Sequence, residues 1–299
     1  MSTLPSAAVA AGVAYRTTAI DGIDLFYREA GPADGPTVLL LHGWPASSHM
    51  FRELIPKLAD RFHLVAPDYP GFGYSSQPST WHYTFDNLAD LIEKFVDKLG
   101  ITKLAMYVQD YGGPIGMRLA TKRPGLIRAI VVQNANFYLE GISDALAPLA
   151  KYWEDQSAEV EAQVRAFLTL DTTKFQYTHG VRDPERVSPD AYTLEQVNLD
   201  RPGNDAIQLA LFLDYRSNLV LYPVWQTYLR TERPPMLVIF GKNDPFFTPA
   251  GAEAIGRDNP NATIVPLEGG HFALEEHSAR IAAEMRALAD RVVAGVYAR

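Results

Sequence analysis

Short apolar runs recur along this chain with helix-like segments between them, and that alternation restricts the fold more than any other feature. The runs fall at residues 37–41, 63–66, 103–108, 127–133, 236–240 and 263–266. Runs of this length and apolarity read as strands buried on both faces. Between two of them, Phe85, Leu88, Leu91, Ile92, Phe95 and Leu99 share one helical face, and Gly100 closes the helix. Residues 113–121 read as another helix, and Ile281, Met285, Leu288 and Val292 mark a last one. Strands separated by helices imply a mostly parallel sheet covered on both sides. Residues 14–20 and 23–29, joined at Asp21-Gly22, predict a hairpin in front of it. Phe51, Leu54, Ile55 and Leu58 suggest a further helix, against which Pro56 speaks.

The alternation breaks once. Residues 137–231 are helical and aromatic in pattern, with few strand signals. The expectation is an α/β core formed by residues 1–136 and 232–299, with residues 137–231 inserted as a helical lid. In such sheets, ligands bind at the carboxyl ends of the strands.

Bulk properties narrow the function classes. The formal net charge is -8 and no basic stripe is visible, which argues against a nucleic-acid partner. The chain has no cysteine, so disulfides, thiolate catalysis and cysteine-held metals are excluded. The first fourteen residues lack a basic region, and the apolar run at 7–11 is too short for a signal-peptide core. No stretch approaches the length of a membrane span. The expectation is a soluble, cytoplasmic protein, monomeric or homodimeric, with no membrane partner.

Four motifs follow predicted strands. The first is Val108-Gln109-Asp110-Tyr111-Gly112-Gly113, where a strand runs in and a helix runs out. This is the layout of a nucleophile elbow with Asp in place of Ser. The positive end of the following helix favours an ionised carboxylate there. The second is Gly241-Lys242-Asn243-Asp244-Pro245, and the third is Gly269-Gly270-His271-Phe272. Singly, each has a bland explanation: a helix cap, a turn Asp before Pro, a loop His. Together they give nucleophile, acid and His in chain order, each at a strand end. The fourth is His42-Gly43-Trp44-Pro45, whose Trp44 amide, with the Tyr111 amide, would form an oxyanion hole.

On these motifs, and on Ala66-Pro67-Asp68-Tyr69-Pro70-Gly71-Phe72-Gly73-Tyr74-Ser75, the chain resembles the α/β-hydrolase branch that contains epoxide hydrolases and haloalkane dehalogenases. The resemblance implies an α/β-hydrolase fold. It also implies attack by the Asp110 carboxylate on saturated carbon, giving an alkyl ester as covalent intermediate. His271, oriented by Asp244, would then activate water to hydrolyse that ester. The Trp44 and Tyr111 amides would stabilise the oxyanion, each worth roughly 3 kcal/mol. Such chemistry uses no metal or organic cofactor, and its partners are a small apolar organic substrate and water.

The leaving group divides the branch. Haloalkane dehalogenases resemble one another in a Trp directly after the nucleophile, where this chain has Tyr111. Epoxide hydrolases carry lid tyrosines whose phenols protonate the opening oxygen. The lid segment here holds Tyr152, Tyr177, Tyr192 and Tyr215. Asp214-Tyr215-Arg216-Ser217-Asn218 is similar to the Tyr-Arg segment bearing one such group. The second would be Tyr152, in the first lid helix, or alternatively Tyr177. Against this, Val108-Gln109 before the nucleophile looks like a dehalogenase. A fluoroacetate dehalogenase is disfavoured, since its group has Arg where Tyr111 stands. The leading expectation is an epoxide hydrolase, with a haloalkane dehalogenase as the alternative. An ester hydrolase and a binding protein on the same fold remain weaker options.

Overall fold

The computed structural model describes residues 12–296, so the apolar run at 7–11 lies outside the described residues. Eight strands form one sheet: β1 (Ala14–Ile20), β2 (Ile23–Ala30), β3 (Thr37–Leu41), β4 (His63–Pro67), β5 (Leu104–Gln109), β6 (Ile127–Gln133), β7 (Met236–Gly241) and β8 (Ala262–Leu267). Their order is β1-β2-β4-β3-β5-β6-β7-β8. The β1–β2 hairpin and the β2–β4 pair are antiparallel, and every pairing from β4 through β8 is parallel.

The helices are α1 (Ile55–Leu58), α2 (Phe85–Lys98), α3 (Gly112–Lys122), α4 (Ala147–Glu154), α5 (Ala158–Arg165), α6 (Leu170–Thr178), α7 (Pro189–Leu199), α8 (Asn204–Asp214), α9 (Arg216–Glu232), α10 (Pro249–Asp258) and α11 (Leu274–Val293). The pleat explains why the strand runs are apolar throughout. Leu39, Leu41, Met106, Val108, Ile130 and Val132 join one core. Their neighbours Val38, Leu40, Tyr107, Ala129 and Val131 join a second core on the opposite face. Successive side chains point to opposite faces, so a strand covered on both sides has no polar position to spare.

The chain between Phe51 and Leu58 is less helical than its apolar spacing suggests. A 3-10 turn over Ser48–Phe51 precedes the one-turn helix α1, with Pro56 in that helix's first turn. Proline has no N–H to lose there but cannot continue a helix running in from upstream.

Between β6 and β7 no strand occurs, and helices α4 to α9 fill the interval. The chain passes from β3 to β4 on one side, then returns to place β5 on the other side of β3. This reversal opens a crevice at the carboxyl ends of β3 and β5. Asp110 follows β5 directly, and Trp44 lies in the loop just after β3.

Candidate active site

Asp110 follows β5 and has a φ of 45°, in the left-handed region that non-glycine residues rarely occupy. Holding it there costs about 1–3 kcal/mol, and surrounding bonds must enforce it. The Asp110 N–H donates to the Asn134 carbonyl at 3.1 Å, tying the elbow to the end of β6. The tight turn also explains Gly112, where a Cβ would lie 2.2 Å from the Leu41 carbonyl oxygen. At Gly43 a Cβ would lie 2.3 Å from the Asp110 Cβ, so the loop after β3 presses on the carboxylate with bare backbone.

That closeness has an electrostatic consequence. The Trp44 N–H donates to Asp110 Oδ1 at 2.6 Å, and the Tyr111 N–H also hydrogen-bonds the carboxylate. Burial nevertheless dominates and pushes the Asp110 carboxyl up to about 6, with His271 and the two amides pulling it down. The carboxylate is therefore ionised at neutral pH yet poorly solvated, as a nucleophile should be.

Asp244 and His271 meet it from the loops that follow β7 and β8. His271 Nδ1 donates to Asp244 Oδ2 at 2.8 Å. The same oxygen accepts from Asn134 Nδ2 at 2.8 Å, while Asp244 Oδ1 accepts from the Phe246 N–H at 2.8 Å. A carboxylate only accepts, so Nδ1 carries a proton, and in the neutral ring Nε2 keeps its lone pair. Nε2 lies 4.0 Å from Asp110 Oδ2 and accepts from Gln109 Nε2 at 3.0 Å. Burial works to lower the His271 pKa, but the Asp244 pair, helped by the Asp110 charge, outweighs it and leaves the imidazole more basic than usual. Phe246, Phe247 and Phe272 ring it closely.

Three supporting residues escaped the sequence reading. Gln109 and Gln133 end β5 and β6, pair across the register and hold His271 from two sides: Gln133 Nε2 donates to the His271 carbonyl at 2.9 Å. Asn134 braces both Asp110 and Asp244. Their signal was a polar residue closing each of two apolar runs. His42, by contrast, is structural: it is buried beside Tyr69, and burial lowers its pKa to about 3.

A cavity of about 40 Å³ opens onto Asp110 and His271. One water needs about 10–15 Å³ on this measure, so it admits only small groups. Its remaining walls are aromatic and aliphatic apart from Gln176 and the polar atoms of the tyrosines and tryptophans. The tyrosines expected from the helical segment divide here. Tyr215, at the start of α9, lines the cavity. Tyr152 does not, which corrects its expected role. Leu149 and Trp153, four residues apart, turn that face of α4 to the cavity, while Tyr152 faces the charges of Glu161 and Arg165 on α5. Tyr177 is likewise corrected. It stacks face to face on Phe272 at 3.8 Å, and its neighbour Gln176 lines the cavity instead. Tyr192 packs near Tyr177, also away from the cavity walls. Tyr222 was overlooked: two turns beyond Tyr215, it hydrogen-bonds the Tyr215 hydroxyl and accepts from Asn136 Nδ2 at 3.4 Å.

With this geometry in view, the chain can be compared with known proteins. The family described as alpha/beta hydrolase fold matches residues 36–278. The chain belongs to the α/β-hydrolase-fold family. It is 46% identical over 269 residues to an uncharacterized hydrolase of Saccharomyces cerevisiae, covering 89% of this chain and 93% of that one. A haloalkane dehalogenase of Mycolicibacterium paratuberculosis is 27% identical over 280 residues, covering 86% and 85%. Haloalkane dehalogenase 2 of Mycobacterium bovis is 45% identical over 104 residues, only 35% of this chain and 36% of the relative. Among solved structures, an ancestral haloalkane dehalogenase superposes with a TM-score of 0.78 at 23% identity, covering 93% and 99%. Cfl2 from Burkholderia cenocepacia gives 0.77 at 22%, covering 92% and 95%. At such identity these two establish the fold alone. Family and site together make the protein a hydrolase of this superfamily. No helix among the described residues is long and apolar enough to cross a membrane.

Proposed function

We propose that this hydrolase opens small apolar epoxides to vicinal diols, with the helical segment 137–231 acting as its lid. The observation that carries the reading is the state of the donors around the cavity. The haloalkane dehalogenases that this chain resembles hold the departing halide with an indole N–H, and both indoles on the cavity wall are engaged here. Trp44 Nε1 donates to Gln208 Oε1 at 3.0 Å and Trp153 Nε1 to the Phe212 carbonyl at 2.8 Å. The Tyr215 phenol is on the wall instead, and burial raises its pKa well above 10, so it keeps its proton. Hydroxyls both donate and accept. Tyr222 can donate to Tyr215 and leave the Tyr215 proton for the substrate.

The amide on Asp110 Oδ1 assigns the two carboxylate oxygens. Oδ1, held by Trp44, is the oxygen that bears charge later, and Oδ2 attacks. As Oδ2 bonds to a ring carbon, that carbon's bond to the epoxide oxygen breaks, and Tyr215 protonates the alkoxide. Alkylation removes the Asp110 charge that raised the His271 pKa, so the imidazole becomes a readier neutral base. His271 Nε2 then takes a proton from water as its oxygen adds to the ester carbonyl. The Trp44 and Tyr111 amides receive the oxyanion. Collapse breaks the bond from the ester carbon to the former Oδ2; that oxygen leaves with the diol and takes the proton of the hydroxyl that water added, which restores the Asp110 carboxylate. The His271 proton returns through solvent to Tyr215.

The test pairs a small epoxide with a bromoalkane on one enzyme batch, following diol and bromide. A single turnover in 18O-water should label Asp110 and leave the diol unlabelled. Alkylation should rise with pH through about 6, as the Asp110 carboxylate forms. Bromide without diol would overturn the reading in favour of a haloalkane dehalogenase, which the named relatives support.

A further inference from the structure

Two side chains on the cavity wall keep polar atoms that this chemistry has not used and that have no partner, the Tyr111 hydroxyl beside the elbow and the Gln176 amide, and of the two only Gln176 lies on the helical side. Gln176, on α6, is 2% exposed and lines the same cavity as Asp110, His271 and Tyr215. Its Nε2 is fully buried and has no hydrogen-bond partner. Polar neighbours on the same stretch are satisfied. Thr173 Oγ1, a turn earlier, donates to Gln196 Oε1 at 2.8 Å, and Gln196 Nε2 donates to the Leu168 carbonyl at 2.9 Å. Buried polar groups in native proteins are almost always paired, and an exception at a cavity is where a ligand's complement belongs. A core that needed only bulk at position 176 would be better served by Leu or Met, which leave no donor stranded.

We propose that Gln176 is the second donor to the leaving oxygen, taking the place that Tyr152 and Tyr177 do not fill. This rests on the epoxide reading and deepens it. Tyr215 transfers a proton to the opening alkoxide, whereas the Gln176 amide donates a hydrogen bond and transfers nothing. The cavity is small enough that an oxygen facing Tyr215 across from Asp110 has few positions to occupy. One phenol and one amide make an asymmetric pair. An epoxide oxygen has two lone pairs and can accept from both donors at once as its ring bond breaks.

The experiment compares wild type, Gln176→Met and Gln176→Glu in single-turnover alkylation by a series of terminal epoxides of graded leaving-oxygen basicity. Thermal melts check that each variant folds. Gln176→Met should slow alkylation roughly 100-fold with little change in KM, and the loss should shrink for the least basic leaving oxygens. Gln176→Glu cannot donate while ionised, so its rate relative to wild type should climb as pH falls and the carboxyl regains a proton. A purely structural Gln176 would give the same loss for every epoxide and a flat ratio against pH, and either result overturns the proposal. An unaffected Gln176→Met overturns it as well. Wild type that makes no diol would instead sink the epoxide reading itself, which keeps the two failures distinct.

Discussion

The two sides of this active site are held in place by different forces. On the sheet side, Asp110, Asp244 and His271 are fixed by backbone. A positive-φ elbow, two amides on one carboxylate, and side-chain amides at adjacent strand ends leave them almost no freedom. On the helical side, Tyr215 and Gln176 are positioned by which way a helix is rotated, and that is set by ring packing. Trp153 stacks on Tyr215 with planes 7° apart, and Tyr177 stacks on Phe272 at 6°. The sheet side is built for geometry that cannot drift. The helical side is built for shape, and shape can change with a few substitutions while the reaction machinery stays constant.

That contrast is tested most severely at the nucleophile. Asp110→Asn keeps the shape and the elbow but removes the attacking charge, so turnover should fall roughly 10⁴-fold or more, with no covalent adduct in the mass spectrum. His271→Gln should separate the two half-reactions. Alkylation by Asp110 needs no base, but ester hydrolysis does, so turnover should fall about 10²–10⁴-fold. The intact-protein mass should rise by the mass of one substrate molecule. A variant that lost turnover without gaining mass would show that His271 acts before the ester forms. On the helical side, Tyr215→Phe should slow alkylation by about 100-fold and leave hydrolysis of a preformed ester unchanged. An equal effect on both steps would make Tyr215 a packing residue and weaken the division drawn here.

The same division governs what could be read from sequence. The meeting of Asp110, Asp244 and His271 was legible because each follows a buried strand, and strand ends converge wherever a sheet reverses its order. Glycine at 112 marks backbone that presses on backbone, and glycine at 43 marks backbone that presses on the Asp110 side chain; both survive in the sequence. The helical side was legible at Tyr215, through its resemblance to a Tyr-Arg segment, and misleading at Tyr152 and Tyr177. A shift of one residue turns a helix by about 100°, so the groups that matter are the immediate neighbours, Trp153 and Gln176. The rotation of α4 and α6 depends on contacts with other helices that no local pattern records. Gln109, Gln133 and Asn134 fall between these cases. Their positions were plain, but their roles depend on hydrogen bonds between adjacent strands.

One contact joins the two sides and should titrate. Glu195, on α7, is fully buried and accepts from Ser47 Oγ at 2.9 Å, in the loop that carries the Trp44 amide. Asn198 Nδ2 donates to its other oxygen at 3.3 Å, and His49 Nδ1 lies 4.0 Å away. Burial pushes its carboxyl from 4.5 up to about 8, against the pull of those hydrogen bonds. The folded protein thus keeps a proton that the unfolded chain has lost. Stability should fall as pH rises from about 4.5 to about 8 and level off above. Glu195→Gln keeps the acceptor and cannot ionise, so it should remove this slope. The variant should melt close to wild type at pH 5 and several degrees higher at pH 8, a difference of a few kcal/mol at most. Its effect on turnover at neutral pH should be small, because the wild-type carboxyl is already protonated there. A melting difference that does not vary with pH would mean that Glu195 is bound as a carboxylate, and that α7 meets the loop carrying the Trp44 amide through a fixed charge.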